Sequence, residues 1–216
     1  MIENVRKYPV IMIAVISFYY MVGIIGLSLE TTRELFRALV PFTLLFSLYF
    51  LWLFHENPGL RFYLVSLVIF LLGFFIEVVG VKTGWFFGHY VYGETLGFKI
   101  LSTPLMIGVN WLFLIISCWS LTGLFLRNRW LRYKTGALFM VIYDIFLEPV
   151  AVRLDMWSWH GDKIPLQNYI GWYITSWLLF IILDQSRVSV KNKIAPSLFI
   201  IQFLFFVILN IINFLS

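Results

Sequence analysis

Seven stretches of about 20 mostly apolar residues, separated by short polar segments, leave this chain few ways to fold. They are Pro9–Leu29, Leu35–Phe54, Leu60–Val81, Ile100–Leu126, Thr135–Val152, Asn168–Leu183 and Pro196–Leu215. Each is long enough, or nearly so, to cross a bilayer as a helix, and lipid tolerates only backbone whose hydrogen bonds are satisfied internally. Composition agrees: 61% of residues are hydrophobic and only 12% charged, with a mean hydropathy of +0.90. A soluble domain carries about twice that charge. The expected fold is therefore all-α, a polytopic membrane helical bundle of about seven transmembrane helices, with residues 1–216 forming one integral membrane domain. The first stretch is longer than a signal-peptide core and lacks a small-residue cleavage site, so it reads as a retained helix.

Basic residues set the orientation. With the N-terminus inside, ten of the sixteen Lys and Arg fall on the inner side, and the segment Arg127–Lys134 is decisive. Acids partition the other way, with only Glu3, Glu56 and Asp184 inside. The reading is a protein integral to the cell membrane. Two outer loops, Lys82–Lys99 and Arg153–Gln167, are rich in aromatic residues, and the first also holds Gly84, Gly88, Gly93 and Gly97. Ordinary linkers are small and polar. Glycines among aromatics suggest folded loops, which are tolerated at depth only where protein covers them or they line a cavity.

Inside this apolar frame sit acids. Asp144 and Glu148 lie within the fifth stretch and Glu77 within the third. At about 1.5 Å per residue, Asp144 falls near mid-bilayer and Glu148 about 6 Å further out. Glu77 falls at a similar depth to Glu148, Asn110 descends to about the middle, and Asn210 and Asn213 lie near the outer end of the seventh stretch. The polar residues thus converge on the outer half of the membrane. Asp155 continues the face of Asp144 and Glu148, since positions i, i+4 and i+11 lie within about 40° of one another. Pro149 predicts a kink beside Glu148. Intramembrane carboxyls mark functional sites by default; the bland alternative is hydrogen bonding between helices. A carboxyl kept neutral in a low-dielectric pocket can donate a proton. The aromatic residues are individually explicable as an interfacial belt. Together they form an apolar pocket whose π faces stabilise a cation. That combination suits protonation of an alkene.

Other chemistries are poorly served. Three histidines, His55, His89 and His160, cannot furnish the His clusters of a di-iron membrane hydroxylase, and His55 is on the inner side. A mononuclear metal site from His89, His160 and carboxylates stays open but is disfavoured, and no metal or other cofactor is expected. The seventh stretch has no Lys for a retinal Schiff base. Cys118 stands alone, which excludes an intrachain disulfide and a multi-Cys metal site. No Gly-rich phosphate loop and no basic–aromatic nucleic-acid face is present.

The ordered landmarks Glu77-x-x-Gly80, Thr83-Gly84-x-x-Phe87-Gly88-x-Tyr90-x-Tyr92, Pro104, Trp111, Asp144-x-x-x-Glu148-Pro149, Trp157-x-Trp159 and Pro165-x-x-Asn168-Tyr169-x-Gly171-Trp172 carry a resemblance. The stretch from about Phe74 to Trp177 resembles the carotenoid biosynthesis membrane-protein family that includes bisanhydrobacterioruberin and γ-carotene hydratases. The resemblance implies cofactor-free addition of water to the terminal C1=C2 bond of an acyclic ψ-end group, in an acyclic or monocyclic carotenoid like lycopene or γ-carotene. On that reading Asp144 is the proton donor, and Glu148 or Glu77 positions and deprotonates water. Asn110 and Asn168 orient it, and Asp155 is a further candidate on the same face. Trp85, Phe87, Tyr90, Trp111, Tyr143, Trp157, Trp159 and Trp172 line the substrate pocket, which a membrane-soluble polyene enters from between helices. Two alternatives stay open: a ψ-end cyclase, in which an internal alkene quenches the same cation, and a non-enzymatic carotenoid carrier. Oligomeric state is not legible.

Overall fold

The computed structural model describes residues 6–215, with side chains as far as residue 212; Glu3 and the side chain of Asn213 lie outside the described residues. The elements run α1 (Pro9–Ser28), α2 (Glu30–Ala38), α3 (Val40–Leu53), α4 (Leu60–Thr83), β1 (Tyr90–Tyr92), β2 (Lys99–Ile100), β3 (Thr103–Pro104), α5 (Leu105–Thr122), α6 (Arg129–Arg153), β4 (Trp157–Trp159), α7 (Leu166–Gln185) and α8 (Ala195–Leu215). Helices α1, α4, α5, α6, α7 and α8 are each long and apolar enough to cross a membrane. The fold is a polytopic helical membrane bundle.

The second predicted stretch differs. It is not one straight helix but the pair α2 and α3, bent by 55° at Leu39. Pro41 explains the break, since it has no N–H for the carbonyl of Arg37 and disfavours helix at the residue before it. Helix α2 carries Glu30, Arg33, Glu34 and Arg37 and buries no residue. Its side chains turn back to cap α1: Thr32 Oγ1 donates to the Gly26 carbonyl (2.8 Å) and Arg33 Nε to that of Leu27 (3.2 Å). Counted as one broken span, α2–α3 makes the total seven.

The fourth predicted stretch also starts late. Residues 99–104 form a tight hairpin in which Leu101 and Ser102 take positive φ, and α5 begins only at Leu105. Helix α5 is the axis of the bundle: 72% of its apolar window is buried, against 22% for α1. Its hydroxyls are absorbed within the helix, Ser117 Oγ donating to Phe113 (2.7 Å) and Thr122 Oγ1 to Cys118 (3.0 Å). Helices α4, α6 and α8 pack around it, and α6 packs along α7. Helix α6 starts with Asn128 as a side-chain cap on Leu131 N (3.1 Å) and runs without interruption through Pro149 to Arg153. Asn210 Nδ2 donates to the Phe146 carbonyl (2.6 Å), next to the Ile145 carbonyl that Pro149 leaves without its helical donor.

Two loops close one end of the bundle. Strands β1 and β4 pair antiparallel, with Tyr90 opposite Trp159 and Tyr92 opposite Trp157. Successive strand residues point to opposite faces. Tyr90, Tyr92, Trp157 and Trp159 are buried, while Val91 and Ser158 between them are exposed. The two aromatic loops are thus one lid, lying over the ends of α4, α6 and α7.

Candidate active site

Three acids lie inside the bundle. Asp144, Glu148 and Glu77 are 0%, 1% and 5% exposed. None takes part in the ion pairs of the described residues, which are Arg37–Glu34, Lys99–Glu94, Arg129–Asp184 and Lys193–Glu56. A buried carboxyl without a counter-charge must find hydrogen-bond donors. Here aromatic residues supply most of them.

Glu77 stands on α4. Its Oε2 accepts from the hydroxyls of Tyr90 (2.5 Å) and Tyr92 (2.8 Å), and its Oε1 from Trp111 Nε1 (2.9 Å). Small residues on the same helix make these approaches possible. A Cβ on Gly73, one turn earlier, would meet Trp111 Cβ at 2.5 Å. A Cβ on Gly80 would meet the Phe87 ring at 2.7 Å and the Tyr90 hydroxyl at 3.1 Å. Burial first, and then the adjacent Glu77, push the Tyr90 and Tyr92 phenols well above their ordinary range, so both remain neutral donors.

Glu148 is held in the same manner from the other strand. Its Oε2 accepts from Trp157 Nε1 (2.9 Å) and Trp159 Nε1 (2.7 Å). Its Oε1 accepts from Asn168 Nδ2 at 3.2 Å. That same amide nitrogen donates to Asp144 Oδ2 at 2.6 Å, so Asn168, on α7, ties together two acids one turn apart on α6. Asp144 Oδ1 has no partner among the described residues although it is fully buried. It differs in this from both glutamates, each of which accepts through both oxygens.

Glu77, Glu148 and Asn168 face a small chamber walled by Phe87, Tyr90, Tyr92, Trp157, Trp159, Trp172 and Ile107. Its volume is about 20 Å³, enough for one water, which needs about 10–15 Å³ on the same measure. Trp111 stacks on Trp172 behind it (ring centroids 4.5 Å). Beside it lies a second, predominantly apolar cavity of about 110 Å³ between α1, the α2–α3 break, α5, α6 and α8. Ile107 and Trp157 line both spaces and form the partition between them. The arrangement offers buried carboxyls set in an aromatic cage, beside an apolar cavity.

Most of the predicted site residues meet here: Glu77, Asp144, Glu148, Phe87, Tyr90, Trp111, Trp157, Trp159, Asn168 and Trp172. Asn110 and Tyr143 line the apolar cavity instead. Two predicted residues are not brought to the acids. Trp85 is 79% exposed, its ring edge-on to Phe86. Asp155 is also exposed, because α6 ends at Arg153 and the chain then turns with φ 54° at Asp155. The i+11 extrapolation needed a helix that has already stopped. Asp155 fastens the lid: its carboxylate accepts from Glu94 N (3.4 Å) and its carbonyl lies against Gly93. His89 covers Gly84, the left-handed residue that ends α4. Among the described residues no three of His, Cys, Asp and Glu converge as metal ligands. The predicted set missed Tyr92, Ile107 and Gln202. Tyr92 had a visible signal: Tyr-x-Tyr and Trp-x-Trp share the period of a strand.

Comparison with known proteins identifies the family. The carotenoid biosynthesis protein family model matches residues 36–216. Bisanhydrobacterioruberin hydratase of Haloarcula japonica is 31% identical over 129 residues, which are 56% of this chain and 43% of that protein. The chain therefore spans less than half the length of that relative. No solved structure matches. The region matched by the family model takes in both strands of the lid and all three buried acids, and the chain belongs to the carotenoid biosynthesis protein family.

Proposed function

We propose that the chain is a carotenoid hydratase that adds water across the terminal C1=C2 bond of an acyclic ψ-end group by acid catalysis, with no cofactor. The observation that carries this reading is the gathering of three buried carboxyls, without a basic partner among the described residues, around a small chamber that adjoins an apolar cavity. The polyene lies in that cavity with its end group at the Ile107–Trp157 partition. Asp144 Oδ1, the carboxyl oxygen without a partner, delivers a proton to C2. The π electrons form the C2–H bond and leave a tertiary cation at C1, which the faces of the aromatic cage stabilise. Water in the small chamber bonds through oxygen to C1. Its surplus proton passes to Glu148 or Glu77, held as acceptors by fixed N–H and O–H donors. Asn168, bonded to both Asp144 and Glu148, keeps the spent acid and the loaded base within reach of each other, so that proton return resets the site. A positioned proton donor contributes about 10²–10⁴-fold; donors fixed in advance in a dry site add to it.

The chamber, of about 20 Å³, has room for the one water that quenches the cation in this reading. The test is conversion of lycopene and γ-carotene in a host that makes them. Wild type should yield products heavier by one water, with oxygen from labelled water and deuterium at C2 in heavy water. Asp144→Asn and Glu148→Gln should each lower conversion by at least about 100-fold while the protein still inserts. Cyclised products of unchanged mass, oxygen derived from O₂, or near-normal conversion by both variants would overturn the proposal.

A further inference from the structure

Two residues lining the apolar cavity each carry a buried polar atom with no hydrogen-bond partner among the described residues. Tyr143 Oη and Gln202 Oε1 are buried without a hydrogen-bond partner, and their residues are 1% and 3% exposed. Both line this cavity. More than nine in ten buried polar groups find a partner, and leaving one unmade costs about 1–3 kcal/mol. Two orphans in one cavity are therefore a feature of that cavity.

They also lie together. The Tyr143 ring packs between Phe199 and Phe206, with centroids at 5.7 and 5.5 Å. Those residues flank Gln202 by three and four positions on α8, so all three share one helical face. The Tyr143 ring thus packs on the helical face that carries Gln202. Asn110, from α5, lines the same space. The other polar residues of the cavity wall are already engaged: Tyr20 with Ser47 (2.8 Å) and Tyr19 with Thr43 (2.9 Å). A phenol that donates beside an amide oxygen that accepts is the complement of one hydroxyl group, which accepts from the first and donates to the second. A pure hydrocarbon leaves both atoms unpaired.

We propose that Tyr143 and Gln202 form a hydroxyl-binding subsite within the hydrocarbon cavity, so that the isoprenoid seated there carries an alcohol. This rests on the reading of the cavity as the polyene's seat but not on any step of the hydration. Tyr143 precedes Glu148 by five residues, about 7.5 Å of helical rise. The hydroxyl therefore belongs to the same end of the molecule as the reacting alkene. Its source is either an alcohol brought in by the substrate or the tertiary alcohol just formed, withdrawn from Glu148 by more than one helical turn.

The test measures binding to the full-length purified protein carrying Asp144→Asn, so that no conversion intrudes. The probes are lycopene and its 1-hydroxy derivative, read by quenching of tryptophan fluorescence. Two hydrogen bonds of about 1 kcal/mol each correspond to roughly 10–30-fold tighter binding of the alcohol. Tyr143→Phe and Gln202→Leu should each reduce that preference to about fivefold or less, with lycopene affinity retained as the sign of an intact fold. Equal affinity for the two probes in the parent protein overturns the subsite, whatever the variants do. So does an undiminished preference in both variants. Turnover with Asp144 restored then identifies the source. If Tyr143→Phe raises KM only for the hydroxylated substrate, the alcohol arrives with the substrate. If it relieves product inhibition of lycopene turnover, the alcohol is the product's. Preference without any conversion sinks the hydratase reading and leaves the subsite standing; conversion without preference does the reverse.

Discussion

Glu148 accepts hydrogen bonds from Trp157, Trp159 and Asn168, and each bond fixes where its oxygens point. Trp159→Phe keeps an aromatic wall and removes one donor. A hydrogen bond to a carboxylate is worth about 1.5–3 kcal/mol, and each 1.4 kcal/mol is tenfold in rate. The expected outcome is a fall in kcat of about 10–100-fold, with KM for the polyene little changed, measured by product formation in detergent. Trp85→Phe is the contrast: that residue is exposed and away from the acids, and its variant should keep wild-type kcat. At this scale much was legible in the sequence. A carboxyl within an apolar run is conspicuous, so Asp144, Glu148 and Glu77 stand out without a structure. That Tyr143 Oη and Gln202 Oε1 lack partners among the described residues was not legible, because an orphan hydrogen-bonding atom is defined by what surrounds it.

Among the elements, α4 shows how small residues shape the site. Gly80 lies within a helix, where Ala is ordinarily better by about 1 kcal/mol. Here its added methyl would stand 2.7 Å from the Phe87 ring and 3.1 Å from the Tyr90 hydroxyl. Overpacking of this kind costs about 1–3 kcal/mol and moves a donor off Glu77. Gly80→Ala should therefore lower the thermal midpoint in detergent and reduce activity. Gly23→Ala, where the nearest atom is at 3.6 Å, should leave the midpoint unchanged or raise it. The lid itself was only half legible. Its aromatic loops are plain in the sequence, and so is the alternation in Tyr90-x-Tyr92 and Trp157-x-Trp159. The pairing of two three-residue strands far apart in the chain is not, because so short a strand has no hydropathy signature and its register is set by what it covers.

Across the whole molecule, hydropathy finds the straight spans because a long apolar run identifies itself without its neighbours. It misses the bend at Leu39, since a windowed average is the same for a straight and a broken helix. The end of the bundle opposite the lid is fastened by other means. His55 is buried there, stacked on Phe62 at 3.8 Å and bridged to Asn192. Burial lowers its pKa below the usual imidazole value; Glu56 opposes this and Arg6 adds to it. A depressed pKa means that the unfolded chain binds the proton more readily. Stability from the neutral ring is fully present above about pH 6.5 and is lost as pH falls through the depressed folded value. The thermal midpoint in detergent should thus drop between neutral pH and pH about 5, and His55→Phe should flatten that part of the profile; an unaltered slope in the variant would refute it. At the lid end, the β1–β4 ladder has a different consequence. Apart from Trp111 on α5, Glu77 draws its aromatic donors from β1 and Glu148 from β4, opposite strands of one pair. Two independent clasps would allow four combinations of held and released. The rungs Tyr90–Trp159 and Tyr92–Trp157 reduce these to two, in which both glutamates are clasped or both are let go, so the lid behaves as one cooperative latch.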